Sequence, residues 1–157
     1  MKNRYQRSVC FFLWLVAAVC SVGRAQAPLN LNGWQPAGGN VLAVAQDNQY
    51  VYLGGTFTRM IKPGTAGAFT RGTGVQTGSG AVINGFPIVN GTILAVAPDG
   101  SGGWYIAGEF TQVGGQARNR IARIMADNSV DLAWNPNANG TVRCIVVDGT
   151  QIYVGGD

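Results

Sequence analysis

Apolar residues come in short bursts of five or six along this chain, each burst is followed by an Asp-containing turn, and the arrangement recurs. Val41-Leu-Ala-Val-Ala45 is followed by Gln-Asp and then by Val51-Tyr-Leu-Gly-Gly-Thr-Phe-Thr58. Ile93-Leu-Ala-Val-Ala97 is followed by Pro-Asp-Gly and then by Trp104-Tyr-Ile-Ala-Gly-Glu-Phe-Thr111. Val142-Arg-Cys-Ile-Val-Val147 is followed by Asp-Gly and then by Ile152-Tyr-Val-Gly-Gly-Asp157. Trp34, Phe86 and Trp134 keep step at intervals of 52 and 48 residues, and Tyr52, Tyr105 and Tyr153 at 53 and 48.

A period of about 40–50 residues made of short strands predicts a propeller or a related repeat architecture. The second copy offers four strand candidates, Ile93–Ala97, Trp104–Gly108, Ile121–Ala126 and Val130–Trp134. Asp-Gly and Asp-Asn sequences between them favour tight hairpins, because these residues tolerate positive φ. The first copy offers Val41–Ala45 and Tyr50–Leu53, then weaker candidates near Gly67–Arg71 and Ala81–Phe86. The third contributes Val142–Val147 and Ile152–Val154. The leading strand of each copy is apolar on both faces, as a strand sandwiched between neighbouring sheets would be. No stretch beyond residue 27 shows the 3.6-residue apolar rhythm of an amphipathic helix. The expectation is all-β: a β-propeller of four-stranded antiparallel blades, with repeats at about 34–85, 86–134 and 135–157. Only about two and a half blades fit in this length, so the pattern predicts further blades and modules beyond Asp157.

Residues 1–27 stand apart from the repeats. Lys2, Arg4 and Arg7 precede the apolar run Val9–Val22, and Ala25-Gln-Ala27 supplies small residues. This is the layout of a cleavable secretory signal, and the run is shorter than the ~20 residues of a membrane span. The expected location is therefore secreted or cell-surface, with no transmembrane segment left after cleavage. Cys20, in Val16-Ala-Ala-Val-Cys20, offers a lipidation alternative, although Val19 stands where a lipobox wants a small residue. Four of the eleven basic residues lie in this segment and all seven acids lie beyond it, so residues 28–157 carry no net charge. Without a basic patch, nucleic acid is not an expected partner. All but one of the 24 glycines also lie beyond it. They alternate with β-rich runs and read as turn punctuation.

The run Tyr105-Ile-Ala-Gly-Glu-Phe-Thr-Gln-Val-Gly-Gly-Gln-Ala-Arg-Asn-Arg-Ile-Ala-Arg-Ile124 resembles the delta-60 repeat family of β-propellers, and Asp127 to Pro136 and Gly140-Thr-Val142 continue in that family's order. The first copy matches at Tyr52–Thr58 and departs afterwards, where Lys62-Pro-Gly-Thr-Ala-Gly67 replaces the segment Arg118–Arg120. The resemblance implies a large exported or surface-attached bacterial protein and no shared catalytic set. It also gives the Gly-Gly-x-Phe-Thr signature a structural meaning. Gly54, Gly55, Gly108, Gly155 and Gly156 would end strands at a close backbone approach, and Phe57 and Phe110 would plug the gaps between blades.

Chemistry has few candidates. The chain contains no histidine, which removes Ser-His-Asp and Cys-His nucleophiles and the commonest general base. Cys144 is the one cysteine beyond residue 27 and takes the place of Ala43 and Ala95 in an apolar strand. Gly72-Thr-Gly-Val-Gln-Thr-Gly78 lacks the Gly-Lys-Ser/Thr ending of a phosphate loop and reads as a plain loop. Asp127, Ser129 and Asp131 have calcium-loop spacing, but Leu132 and Ala138 stand where the glycine and glutamate belong, so a hairpin turn is expected. No metal or cofactor is expected. Asn90-Gly-Thr92 and Asn139-Gly-Thr141 are sequons by pattern, explained by one repeated turn.

Thr56, Glu109 and Asp157 hold one position in successive repeats. Glu109 and Asp157 are the candidate catalytic pair, since two facing carboxylates are the equipment of glycoside hydrolysis. Arg118 and Arg120 are the candidate binding residues, read as sharing a strand face with Arg123 on the other. The favoured reading is an exported propeller module with a binding, adhesion or structural role toward an extracellular glycan or protein, without catalysis. The alternative is a carbohydrate-active propeller enzyme of glycoside hydrolase or lyase type.

Overall fold

The structure is a computed structural model that describes residues 33–62, 65–69 and 71–157. The reading of residues 1–27 as an export signal, Cys20 included, lies outside the described residues. Among those residues, all regular structure is β, and no helix is long and apolar enough to cross a membrane.

Among the described residues, thirteen strands form five small antiparallel sheets. Three of these carry the sequence repeat. The first sheet has β2 (Val41–Gln46), β3 (Tyr50–Gly55) and β6 (Gly72–Gln76) in the order β2-β3-β6. The second has β7 (Ile93–Pro98), β8 (Trp104–Gly108) and β11 (Ile121–Ile124), in the equivalent order β7-β8-β11. The third has β12 (Val142–Asp148) paired with β13 (Gln151–Gly156). Two satellites branch off between the second and third strands of their repeats, the first joined by a strand that precedes β2 in the chain. One is β1 (Gln35–Ala37), β4 (Arg59–Lys62) and β5 (Thr65–Phe69), and the other is the hairpin β9 (Gln112–Val113) with β10 (Gln116–Ala117).

The sheets pack face to face in chain order. Strands β2 and β3 lie against β7, while β7 and β8 lie against β12. Between the first two sheets sits a core of Tyr52, Phe86, Ile93, Val96, Trp104, Ile106 and Phe110, with Val89, Val113 and Ile124 beneath them. Between the second and third sit Ala95, Ala97, Tyr105, Ala107, Val142 and Ile145, closed by Trp134. The outer side of the first sheet carries Leu53, Phe57, Met60 and Val75, with Trp34 against them. Trp34, Phe86 and Trp134 thus occupy corresponding places, and the two rings that lie between sheets meet aromatic partners. Phe86 contacts Trp104 at a centroid distance of 4.9 Å, and Trp134 contacts Tyr105 at 5.0 Å. Phe57 and Phe110 are fully buried, and removing such a ring from water stabilises the fold by roughly 2 kcal/mol each.

One local device recurs in all three repeats. The inner strand carries a bulge at the same register, between Val41 and Ala43, Ile93 and Ala95, and Val142 and Cys144. Just before the bulge, the carbonyls of Asn40, Thr92 and Thr141 accept hydrogen bonds from the backbone N–H of Thr56, Glu109 and Asp157, at 3.0, 2.9 and 3.0 Å. These bonds pass directly over Gly55, Gly108 and Gly156. A Cβ at any of the three would collide with the accepting carbonyl oxygen. The first glycine of each pair lies on the sheet face. A Cβ on Gly54 would press into Ile93 and Val96 of the next sheet, whereas Ala107 accommodates its methyl in the second core.

The sequence reading needs correction in the outer strands. The third strand of the first sheet is Gly72–Gln76, the stretch read as a loop, and the weaker candidate Gly67–Arg71 instead overlaps the satellite strand β5. Gly72 and Gly74 serve packing there, because a Cβ on Gly72 would meet Ile93 and Phe86, and one on Gly74 would meet Ile83. The expected fourth strands reduce to single bridges, Val75 to Val82 and Ile124 to Val130. In the second repeat the cause is Asp131, whose Oδ1 accepts from the N–H of Ala133 and Trp134 and turns the chain out of register.

Gly108→Ala should therefore destabilise the fold by about 3 kcal/mol, the scale of a methyl forced into a filled space. Gly78→Ala, where no heavy atom lies within 4 Å of the added methyl, should be neutral or slightly stabilising. Urea unfolding of the two variants checks the contrast; equal midpoints would show that the close approach relaxes without cost.

Candidate functional site: a polar sheet end

The glycine-bridging hydrogen bonds carry Thr56, Glu109 and Asp157 to one end of the three sheets, immediately after strands β3, β8 and β13. Their side chains have different surroundings. Thr56 is turned inward by a local bond, its hydroxyl accepting from the Asn40 N–H at 2.9 Å. Glu109 is exposed and makes no side-chain hydrogen bond among the described residues. Asp157 is exposed and held in a two-pronged pair, with Arg143 Nε at 3.0 Å from Oδ1 and Arg143 NH2 at 2.8 Å from Oδ2.

Arg143 was not singled out by the sequence, yet it organises this end. It is the bulged residue of β12, in the place of Leu42 and Leu94, and the bulge turns its side chain toward the strand end. The hydrogen bond from Arg143 lowers the Asp157 pKa below the ordinary carboxylate value. Asp157 and Glu109 both raise that of Arg143, Asp157 dominating. Asp157 alone is in ion-pair contact with that guanidinium. Every carboxylate whose titration is displaced, namely Asp47, Asp99, Asp127 and Asp157, is displaced downward. A glycosidase acid requires the opposite displacement.

Arg118 and Arg120 lie just before β11 rather than on a common strand face. Arg118 is buried, donating from NH1 to the Ala117 carbonyl at 2.7 Å and from NH2 to the Asp131 carbonyl at 2.9 Å, while its Nε lacks a partner. Arg120 has a φ of 64°, rare for a side chain with a Cβ. Three hydrogen bonds hold it: its N–H donates to the Phe110 carbonyl, its carbonyl accepts from the Gly108 N–H, and its NH1 donates to the Ala138 carbonyl at 3.0 Å. The first repeat has an equivalent that the sequence reading overlooked. The Arg71 carbonyl accepts from the Gly55 N–H, and Arg71 NH1 reaches the Thr56 carbonyl at 3.3 Å. The arginine is retained there, displaced along the chain by the longer β4–β5 hairpin.

The opposite end is structural. The Asp99 side chain is buried and takes hydrogen bonds from Arg123 Nε and NH2 at 3.0 and 2.7 Å, and from the N–H of Ser101 and Gly103. Arg123 also reaches Asp131 at 3.3 Å and lies over the Tyr105 ring. Its acids belong to its own repeat, not to a neighbouring sheet. Asp47 plays the corresponding part in the first repeat, accepting from the N–H of Gln49 and Tyr50 and from the Tyr52 hydroxyl. The recurrence of Asp47, Asp99 and Asp148 at one register is the sequence signal that points to this turn. Asp127 accepts from the N–H and hydroxyl of Ser129 in a hairpin turn. No cluster of potential metal ligands occurs among the described residues.

Burial alone would push the Asp99 carboxyl up, but the Arg123 and backbone hydrogen bonds outweigh it and hold the pKa below its ordinary value. A depressed folded-state pKa supplies stability above the unfolded value and loses it as pH falls through the folded one. Stability should accordingly drop below about pH 4. Asp99→Asn should cost roughly 2 kcal/mol at neutral pH and flatten that acid limb. Thermal melts at a series of pH values test both, and an unchanged acid limb would remove Asp99 from the account.

Comparison of the chain with known proteins finds no matching family, no matching curated protein and no matching solved structure.

Proposed function

We infer that the chain is an exported or cell-surface β-propeller repeat module, of the delta-60 type its second repeat resembles, whose role is binding, adhesion or structural support. The observation that carries this reading is the contrast at the polar end. Three superposable backbone devices present Thr56, Glu109 and Asp157, so the frame is constant while the displayed side chain changes. A rigid β scaffold with variable residues at its strand ends is suited to recognition without bond chemistry. The partner is an extracellular glycan or protein, met by the Arg143–Asp157 pair and the exposed Glu109 carboxylate.

The second reading is a carbohydrate-active propeller enzyme, of hydrolase or lyase type. Its support is that Glu109 and Asp157 hold the same position in successive repeats, each directly after the second strand of its sheet. Against it stands the engagement of Asp157, whose carboxylate is held by Arg143 and kept below its ordinary pKa.

A polysaccharide and matrix-protein array, followed by an assay for new reducing ends and unsaturated products, separates the two. The module reading expects binding without turnover, with Glu109→Gln shifting affinity by no more than about tenfold. Turnover that disappears in Glu109→Gln would replace it with the enzyme.

A further inference from the structure

An asparagine followed by glycine is open to self-conversion, because glycine has no Cβ to keep its amide nitrogen away from the asparagine side chain. The described residues include Asn84-Gly85 and Asn90-Gly91, each preceded by a β-branched residue, Ile83 or Val89. Both asparagines are exposed, so access of water does not separate them. Fixation of the side chain does.

The Asn90 carboxamide is pinned. Its Oδ1 accepts from the N–H of Thr111 and of Gln112, each at 2.9 Å, and its Nδ2 donates to Thr111 Oγ1 at 2.9 Å. Gly91 is packed so closely that a Cβ there would meet the Glu109 carbonyl. The Asn84 carboxamide, in contrast, makes no hydrogen bond among the described residues, and neither does the Gly85 N–H. Only the Asn84 backbone carbonyl is engaged, by Asn128 Nδ2 at 3.5 Å. Gly85 has a φ of 82°, and no heavy atom lies within 4 Å of where its Cβ would be. This open turn is tied on both sides. Before it, the Ile83 N–H donates to the Gly74 carbonyl at 2.8 Å. After it, the buried Phe86 ring packs on Trp104 and closes the seam between the first two sheets.

We propose that Asn84 is a site of spontaneous modification, and that its conversion loosens the seam closed by Phe86. The Gly85 nitrogen gives its proton to solvent hydroxide and attacks Asn84 Cγ. The N–Cγ bond forms, the Cγ–Nδ2 bond breaks, and ammonia leaves with a proton taken from water. Water then opens the cyclic imide. Opening at Cγ leaves aspartate, and opening at the main-chain carbonyl leaves isoaspartate. The net change is one water consumed and one ammonia released, with no oxidation or reduction. Isoaspartate carries the main chain through Cβ and so lengthens the path between the anchors at Ile83 and Phe86. The added length falls two residues before the Phe86 ring and shifts it against Trp104. None of this depends on the binding or catalytic reading of the polar end.

Incubation of the full chain in mildly alkaline buffer tests the proposal, with sites read by peptide mass and by isoaspartate methyltransferase labelling. Asn84 should convert, and Asn90 should convert at least about tenfold more slowly, the scale set by the hydrogen bonds that must break first. In urea the two sites should convert at similar rates, because their sequence neighbours are alike. The aged wild-type chain should melt at a lower temperature than the fresh one. Aged Asn84→Gln, whose longer side chain closes the ring far more slowly, should keep its melting point. Absence of conversion at Asn84, equal rates at the two sites in the folded chain, or a difference that persists in urea would each overturn the proposal. So would a melting point that is unchanged after conversion, or one that falls equally in Asn84→Gln.

Discussion

The hydrogen bond that crosses a glycine at the end of each second strand is the constraint on which the rest of the structure depends. It requires the backbone of the inner strand to come so close that no side chain fits between, and it does so at Gly55, Gly108 and Gly156 alike. The approach is reached by a bulge in the inner strand, and the bulge reorients the residue it inserts. Strand register, the direction of Arg143 and the exit of Thr56, Glu109 and Asp157 toward a common end all follow from one packing requirement.

Lateral order has a separate origin. The inner strands bear apolar residues on both faces, so each sheet needs a neighbour on either side. Aromatic rings from the ends of the repeats close the seams, Phe86 in the first and Trp134 in the second. The arginines are absorbed into this frame through backbone carbonyls rather than through surface ion pairs, whose net contribution is small. Arg123 and Arg143 are exceptions, the first paired mainly with the Asp99 carboxylate and the second with Asp157.

The inner two strands of each repeat were legible from the sequence because hydrophobic runs bounded by Asp turns leave little freedom. All-β architecture followed from the same runs. The third strand of the first sheet was not legible. Gly72-Thr-Gly-Val-Gln76 looks like a loop until the large side chains that fill the glycine positions, Ile93, Phe86 and Ile83, are known, and these come from elsewhere in the chain. The fourth strands failed for a local reason, since Val130–Trp134 alternates like a strand while Asp131 captures its own downstream amides. At the polar end, the carboxylates could be placed by counting repeats. Arg143 could not, because the repeat puts leucine at its position and only the bulge gives that position a direction.

The pinned corners between second and third strands also carry a consequence for how such repeats diversify. In the first repeat the path from Gly55 to Arg71 is four residues longer than the path from Gly108 to Arg120, yet both ends are tied by the same amide-to-carbonyl bond. Closing a longer flexible path costs only about 0.6 kcal/mol for each doubling of its length. The corner therefore behaves as a socket into which hairpins of different length can be exchanged, leaving the sheets on either side in register.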